Sequence, residues 1–182
     1  MKPKLLLHVC CAPCSTHCVK ELLDDYDVTM YFYNPNIHPY GEYVKRLEDG
    51  EKVGALLGVP LVEGEYDPDA WIDLVQGLEE EPEGGRRCGV CFSMRIARAA
   101  EHAAENGFDC FTTTMTVSPH KDTGKINSIG ENIASKHGVS WLHSDFKKKD
   151  GFRKSVAMSD EMGLYRQKHC GCFYSVKPGS AD

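Results

Sequence analysis

Short apolar runs alternate along the chain with longer stretches whose apolar residues recur at helical spacing. Lys4 to Val9 (KLLLHV), Val28 to Tyr33 (VTMYFY), Pro60 to Val62, Phe108 to Thr114 (FDCFTTT) and Val139 to Leu142 read as five strands. Helices are predicted between them. Ser15 to Leu23 is one, with Ser15 or Thr16 as its N-cap, and His38 to Leu57 is the next, despite Gly50 and Gly54. Asp67 to Leu78 follows, started by Asp67 and Pro68. Cys91 to Glu105, Ile126 to His137 and a short piece from Asp160 to Tyr165 complete the set. The charged, glycine-rich stretch Glu79 to Arg87 reads as a loop, and Lys177 to Asp182 is expected to fray.

Strands alternating with helices imply an α/β fold: a mostly parallel sheet of about five strands, helices on both faces, and one domain over residues 1–182. In such sheets ligands bind beyond the carboxyl ends of the strands. The loops that begin at Cys10, at Asn34 and at Thr113 to His120 should therefore meet at one edge.

Composition adds a compartment. Apolar residues make up 41% and charged residues 26% of the 182, which suits a soluble globular chain. No apolar run is long enough to span a bilayer, and Met1 to Val9 is too short for a signal peptide, so a cytoplasmic protein without a membrane partner is expected. The net charge of −6 argues against a nucleic-acid partner, but its distribution does not. Leu61 to Gly85 holds no Lys or Arg, whereas Lys147, Lys148, Lys149, Arg153, Lys154, Arg166 and Lys168 crowd one segment. That run reads either as a solvated face or as a polyanion patch.

Nine cysteines change the picture most. At that density in a cytosolic chain, thiols serve metals or catalysis rather than disulfides, and the odd count agrees. Cys10, Cys11 and Cys14 lie between a strand end and a helix start, where the helix dipole favours thiolate. Cys88 and Cys91 precede another helix, and Cys170 and Cys172 form a third pair. Seven thiols exceed the four that one tetrahedral ion or one cubane cluster takes. Two centres, a four-iron cluster beside a single ion, account for them; one cluster beside a redox-active dithiol is the alternative. Cys18 and Cys110 read as packed core thiols.

Other candidates lie at the predicted strand ends. Asn34 and Asn36 carry amides suited to a ribose or base edge, although Asn34 to Pro39 also reads as an ordinary turn. Thr112 to Thr114, Ser118, His120 and Lys121 offer hydroxyls, an imidazole and an ammonium for sugar or phosphate. His8 reads as a satisfied buried histidine, and Tyr43 and Arg46 are one helical turn apart.

Six blocks in order (LLLHVCCAPCS, YFYNPNIHPYGEYVKR, CGVCFSMR, TTTMTVSPHK, DFKKKDGFRKS and LYRQKHCGCFYS) resemble the cobalamin-independent epoxyqueuosine reductases, the QueH family, from about Lys4 to Ser175. The resemblance implies a Rossmann-like, nucleotide α-hydrolase-like domain. It also implies reductive removal of the epoxide oxygen from epoxyqueuosine at the tRNA wobble position, giving queuosine. An iron–sulfur [4Fe-4S] cluster, an additional mononuclear iron and an external electron donor come with it. The family's metal motifs fall on Cys10, Cys11, Cys14, Cys88, Cys91, Cys170 and Cys172. The expected partition gives Cys88, Cys91 and one sulfur from each other loop to the cluster, and the rest to the second iron. Cysteines replace the SGGxDS phosphate cradle of ATP-using tRNA-modifying enzymes, which counts against an ATP-dependent sulfur transferase. A metal-bearing tRNA-binding or redox-sensing module without turnover is the other alternative.

The implied reaction takes two electrons and two protons and releases water. Iron can supply the electrons and a Lewis acid; no side chain can. His120, His38, Asp145 and Tyr43 are the candidate proton donors. Asn34, Asn36, Lys121, Lys147, Lys148, Arg153 and Arg166, with Arg86 and Arg87, are the candidate tRNA contacts, and Tyr40 or Phe152 a stacking platform.

Overall fold

The computed structural model describes residues 1–175, so the expectation for Lys177 to Asp182 lies outside the described residues. Five strands form one sheet: β1 (Lys4–His8), β2 (Asp27–Phe32), β3 (Leu61–Glu63), β4 (Cys110–Thr113) and β5 (Ser140–Trp141). Their order is β3-β2-β1-β4-β5, and every neighbouring pair is parallel. Six α-helices complete the α/β fold: α1 (Ala12–Leu22), α2 (Tyr40–Leu57), α3 (Pro68–Leu74), α4 (Arg86–Glu105), α5 (Thr123–His137) and α6 (Gly151–Glu161).

The alternation of the central strand assigns the two faces. Leu5, Leu7 and Val9 pack with α1 and α2 residues such as Val19 and Val53, while Leu6 packs with Phe92, Ile96 and Ile126 from α4 and α5. Because both faces are covered, β1 reads as a continuous apolar run. The chain leaves β1 toward β2 and β3 on one side and reaches β4 and β5 on the other. The order therefore reverses between β1 and β4, where a crevice opens at the carboxyl ends.

Several predicted boundaries move, each for a local reason. Helix α1 starts at Ala12 with an extended Cys11 as N-cap and Pro13 in the first turn, where its missing N–H costs nothing. Ser15 and Thr16 are not the cap; their hydroxyls donate back to Ala12 O (2.7 Å) and Pro13 O (2.9 Å). Helix α4 starts at Arg86, five residues before the expected Cys91, with Gly85 as N-cap. Cys88 and Cys91 are thus within the helix, one turn apart on one face. Helix α3 ends at Leu74, short of the expected Leu78, and left-handed Gly77 (φ 80°) turns the chain.

The expected helix from Asp160 to Tyr165 is not formed. Helix α6 occupies Gly151–Glu161, and Gly163 (φ 61°) turns the chain after it. Its buried positions are Gly151, Ser155 and Ser159, so small residues rather than apolar ones mark the face that packs on α1. An apolar-period search does not detect such a face.

Candidate metal centre

The three loops meet at the carboxyl edge. The Cys10 amide donates to Thr114 Oγ1 (3.4 Å), joining the loop after β1 to the loop after β4. Asn34 Nδ2 donates to Val9 O (2.8 Å), joining the loop after β2. Cys11 caps α1 and Cys14 follows in its first turn, so the turn gathers three thiols. The Sγ atoms of Cys10, Cys11 and Cys14 lie within 4.8 Å of one another, and those of Cys10 and Cys11 are 3.9 Å apart. Metal–sulfur bonds of about 2.3 Å place two ligands of one tetrahedral ion roughly 3.8 Å apart, so this trio fits a metal.

The other four thiols come from α4 and the Cys170–Cys172 loop. Cys91 and Cys172 pack around buried Trp71, with Cys170 against them. Cys88 accepts a hydrogen bond from the Gly84 amide (3.2 Å). A cavity of about 130 Å³ is lined by Cys88, Cys170 and Cys172, with Arg87, Phe92, His120 and Lys121 in its wall. A wider groove of about 900 Å³ runs along α4 and α5, but none of the seven cysteines lines it; the smaller cavity is the one the cysteines border.

Two features hold the Cys170–Cys172 loop. Arg46 Nη1 donates to Cys170 O (2.9 Å) and Nη2 to His169 O (3.2 Å), while its Nε donates to Glu42 Oε1 (2.7 Å). Gly171 O accepts from the His38 amide (2.9 Å). Gly171 itself sits at φ 95°, with the Arg46 guanidinium where a Cβ would be, so only glycine fits between the two cysteines.

The electrostatics are set by thiols and two cations. Hydrogen bonds from Cys11 and Cys14 draw Cys10 well below the ordinary thiol range against the opposing effect of burial, and Lys121 and Arg95 add to the lowering. Cys11, whose hydrogen bonding to Cys10 favours its proton, is pushed up to about 12. Cys14 is raised through its bonds to Cys10 and Cys11. Burial pulls the Lys121 ammonium down, but the charges on Cys170, Cys10, Cys14 and Cys11 outweigh it and hold it above its ordinary range.

A family model described as epoxyqueuosine reductase QueH matches residues 5–178. The chain belongs to the epoxyqueuosine reductase QueH family. Among QueH relatives, the one from Streptococcus pyogenes serotype M1 is 44% identical over all of this chain and 74% of its own length. The QueH from Staphylococcus epidermidis is 42% identical over all of this chain and 79% of its own length. The QueH from Thermotoga maritima is 36% identical over 94% of this chain and 90% of its own length.

In this QueH chain the remaining candidates fall into distinct places. His120 is exposed at the cavity rim. His38 rests against Trp71 and Phe173, with its Nε2 buried and unpartnered among the described residues; burial lowers its pKa. Asp145 follows β5, with Oδ1 buried and unpartnered among the described residues and Oδ2 3.7 Å from Lys148 Nζ. Tyr43 donates to Glu63 Oε1 (2.8 Å) and packs on Tyr40 and Tyr66, so its proton is committed away from the thiols. His8 is the satisfied buried histidine expected: Nδ1 meets Thr113 Oγ1 (2.8 Å), Nε2 meets Tyr33 O (3.1 Å), and burial, helped by Arg95, pushes it down to about 3.

The expected nucleic-acid contacts divide as well. Asn34 is buried with both amide ends used, since its Oδ1 accepts from Arg95 Nη2 (2.6 Å). Asn36 is buried with Oδ1 unpartnered among the described residues. Arg87 is buried and donates to the carbonyls of Leu78, Glu79 and Glu81, which fastens the loop before α4. Thr112 and Thr116 hydroxyls meet Ser144 (3.0 Å each), tying β4 and the turn after it to the loop after β5. Lys147 Nζ donates to Lys121 O (3.1 Å). Arg153 and Arg166 are exposed beside Asp150 (2.8 Å) and Asp160 (3.8 Å), and Tyr40 and Phe152 are exposed aromatics. Cys18 is fully buried in the α1 core.

Sequence reasoning missed Arg95 and Trp71. Arg95 stands four residues after Cys91 on α4, so the helical repeat held the signal, but a lone arginine in a charged helix reads as surface.

Proposed function

We propose that this chain is an epoxyqueuosine reductase, removing the epoxide oxygen of epoxyqueuosine in tRNA with two electrons and two protons, and releasing water. Membership of the QueH family supports the reaction. The observation that carries it to these residues is the close trio of Cys10, Cys11 and Cys14, whose sulfurs lie within 4.8 Å of one another.

The grouping of sulfurs favours a partition other than the one expected from sequence. Cys88, Cys170 and Cys172 line one cavity and Cys91 packs with Cys172, so these four would supply the thiolates a [4Fe-4S] cluster takes. Cys10, Cys11 and Cys14 then hold the mononuclear iron. When bound, these groups supply the electrons and a Lewis acid for the epoxide oxygen. The chain's own residues do the rest. His120 stands at the cavity rim, and it delivers the proton to the departing oxygen. His38, neutral in its apolar setting, stands behind the Cys170–Cys172 loop as the second candidate.

The nucleotide must leave the anticodon stack to enter the cavity. Exposed Arg153, Arg166 and Lys148 suit phosphate, and exposed Tyr40 and Phe152 suit stacked bases. The electron donor is external. Among the described residues no helix is long and apolar enough to cross a membrane, in keeping with a cytoplasmic tRNA enzyme.

The test is an anaerobic assay of iron-reconstituted protein with dithionite and tRNA carrying epoxyqueuosine, read by mass spectrometry of the nucleosides. Conversion to queuosine, a loss of one oxygen, is expected. A fully loaded protein that binds the tRNA and leaves the epoxide intact would sink the proposal.

A further inference from the structure

Two cations stand among the thiols with no carboxylate within ion-pair distance among the described residues. Arg95 is 1% exposed, and its polar partners are the neutral amide of Asn34 (2.6 Å) and the Cys91 sulfur. Its Nε has no partner, and no acid lies within ion-pair distance of it among the described residues. Lys121, half-buried, lines the cavity beside Cys170 and Cys172; Glu83 and Asp122 line it too, but no acid is within ion-pair distance of Lys121 among the described residues. A buried, unpaired cation such as Arg95 is costly, so it persists where compensating charge is supplied. Here that charge would come from the cysteines as iron-bound thiolates. Cys91, Cys10 and Cys170 act on Arg95, and Cys170, Cys10, Cys14 and Cys11 act on Lys121. Each cation thus faces thiols of both groups.

We propose that Arg95 and Lys121 are positioning residues that set the reduction potential of the thiolate-bound iron. The inference rests on the reading of the cysteines as iron ligands. When the centre takes one electron from a one-electron donor, its net charge falls by one, and no bond or proton in the chain changes. A fixed cation nearby stabilises the more negative, reduced form and raises the potential. Arg95 does so from the dry side, through a fork that also orders Asn34 and Cys91. Lys121 does so from the cavity side. The two are independent in chain and in support, because the Lys121 side chain makes no hydrogen bond to the described residues.

The experiment is a potentiometric titration followed by electron paramagnetic resonance, on full-length, anaerobically reconstituted wild type, Arg95→Gln, Arg95→Lys and Lys121→Met. Arg95→Gln and Lys121→Met are each expected to shift the reduced-to-oxidised ratio about tenfold toward the oxidised form, which is about 59 mV lower for one electron. Arg95→Lys, which keeps the charge and loses the fork, should stay nearer wild type. If Arg95→Gln does not take up iron, Lys121→Met decides alone: a lower potential supports the inference and an unchanged one overturns it. Loaded Arg95→Gln and Lys121→Met at the wild-type potential also overturn it. A wild type holding zinc and no sulfide would instead remove the iron reading beneath it.

Discussion

Arg46→Met tests whether the second cysteine loop is held by side chains rather than by its own backbone. Arg46 is 3% exposed, and its three donors join Glu42, His169 O and Cys170 O. Methionine keeps most of the volume and removes every donor. Removing one member of a buried ion pair costs about 3–5 kcal/mol. The lower end applies, because the Glu42 side chain keeps 13% exposure and a contact from Tyr165 Oη (3.3 Å). With about 1.4 kcal/mol per tenfold, 3 kcal/mol raises the open population of the loop roughly a hundredfold. The His38 amide reports this opening directly, since its hydrogen bond ends on Gly171 O (2.9 Å). Its hydrogen exchange should accelerate roughly a hundredfold, while amides of β1 change in step with global stability. Iron should pass to a chelator correspondingly faster. Arg46→Lys, which cannot bridge three acceptors, should fall between. A folded Arg46→Met protein whose His38 amide exchanges at the wild-type rate would refute the reasoning.

Gly171→Ala should lose about 1–2 kcal/mol from its left-handed backbone, and further from the guanidinium 2.9 Å from the new Cβ, read as a lower Tm and lower iron content. Gly41→Ala, with nothing within 4 Å of the new Cβ, is the control and should gain up to about 1 kcal/mol. Cys18→Ala should lower Tm by the equivalent of about 1 kcal/mol with iron content unchanged, whereas Cys14→Ala should lose iron; equal iron in both would break the division between core and ligand thiols. Burial against Tyr31 (ring centroids 4.5 Å apart) lowers the His102 pKa, so below about pH 6.5 the unfolded chain takes up a proton that the folded one resists, and stability falls with pH. His102→Phe should make that part of the stability profile less steep, His8 and His38 keeping the rest of the slope, measured by urea unfolding between about pH 7.5 and about pH 5, on either side of about 6.5.

The alternation of KLLLHV, VTMYFY and FDCFTTT with helical stretches determined an α/β fold with a parallel sheet, because a strand covered on both faces must be apolar throughout. The rule that sites lie beyond carboxyl strand ends brought the loops after β1, β2 and β4 together from sequence alone, and Cys10, Asn34 and Thr114 do meet there. Where chemistry was local in the chain, as in Cys10, Cys11 and Cys14, spacing was enough to place the sulfurs together. Tertiary structure decided what depends on long-range partners. Helix α6 hides its packing face in Gly151, Ser155 and Ser159, whose fit against α1 no hydrophobic count reveals. Asn34 and Thr112 are polar types that sequence reasoning assigned to a ligand, yet each satisfies a buried backbone or side-chain group, because a crowded strand edge leaves many such groups to pair; Arg87 instead fastens the loop before α4 through three of its carbonyls. Arg95 shows the converse: its residue type signals surface, and only the folded chain buries it, against Asn34 from the loop after β2 and Cys91 one turn back on its own helix.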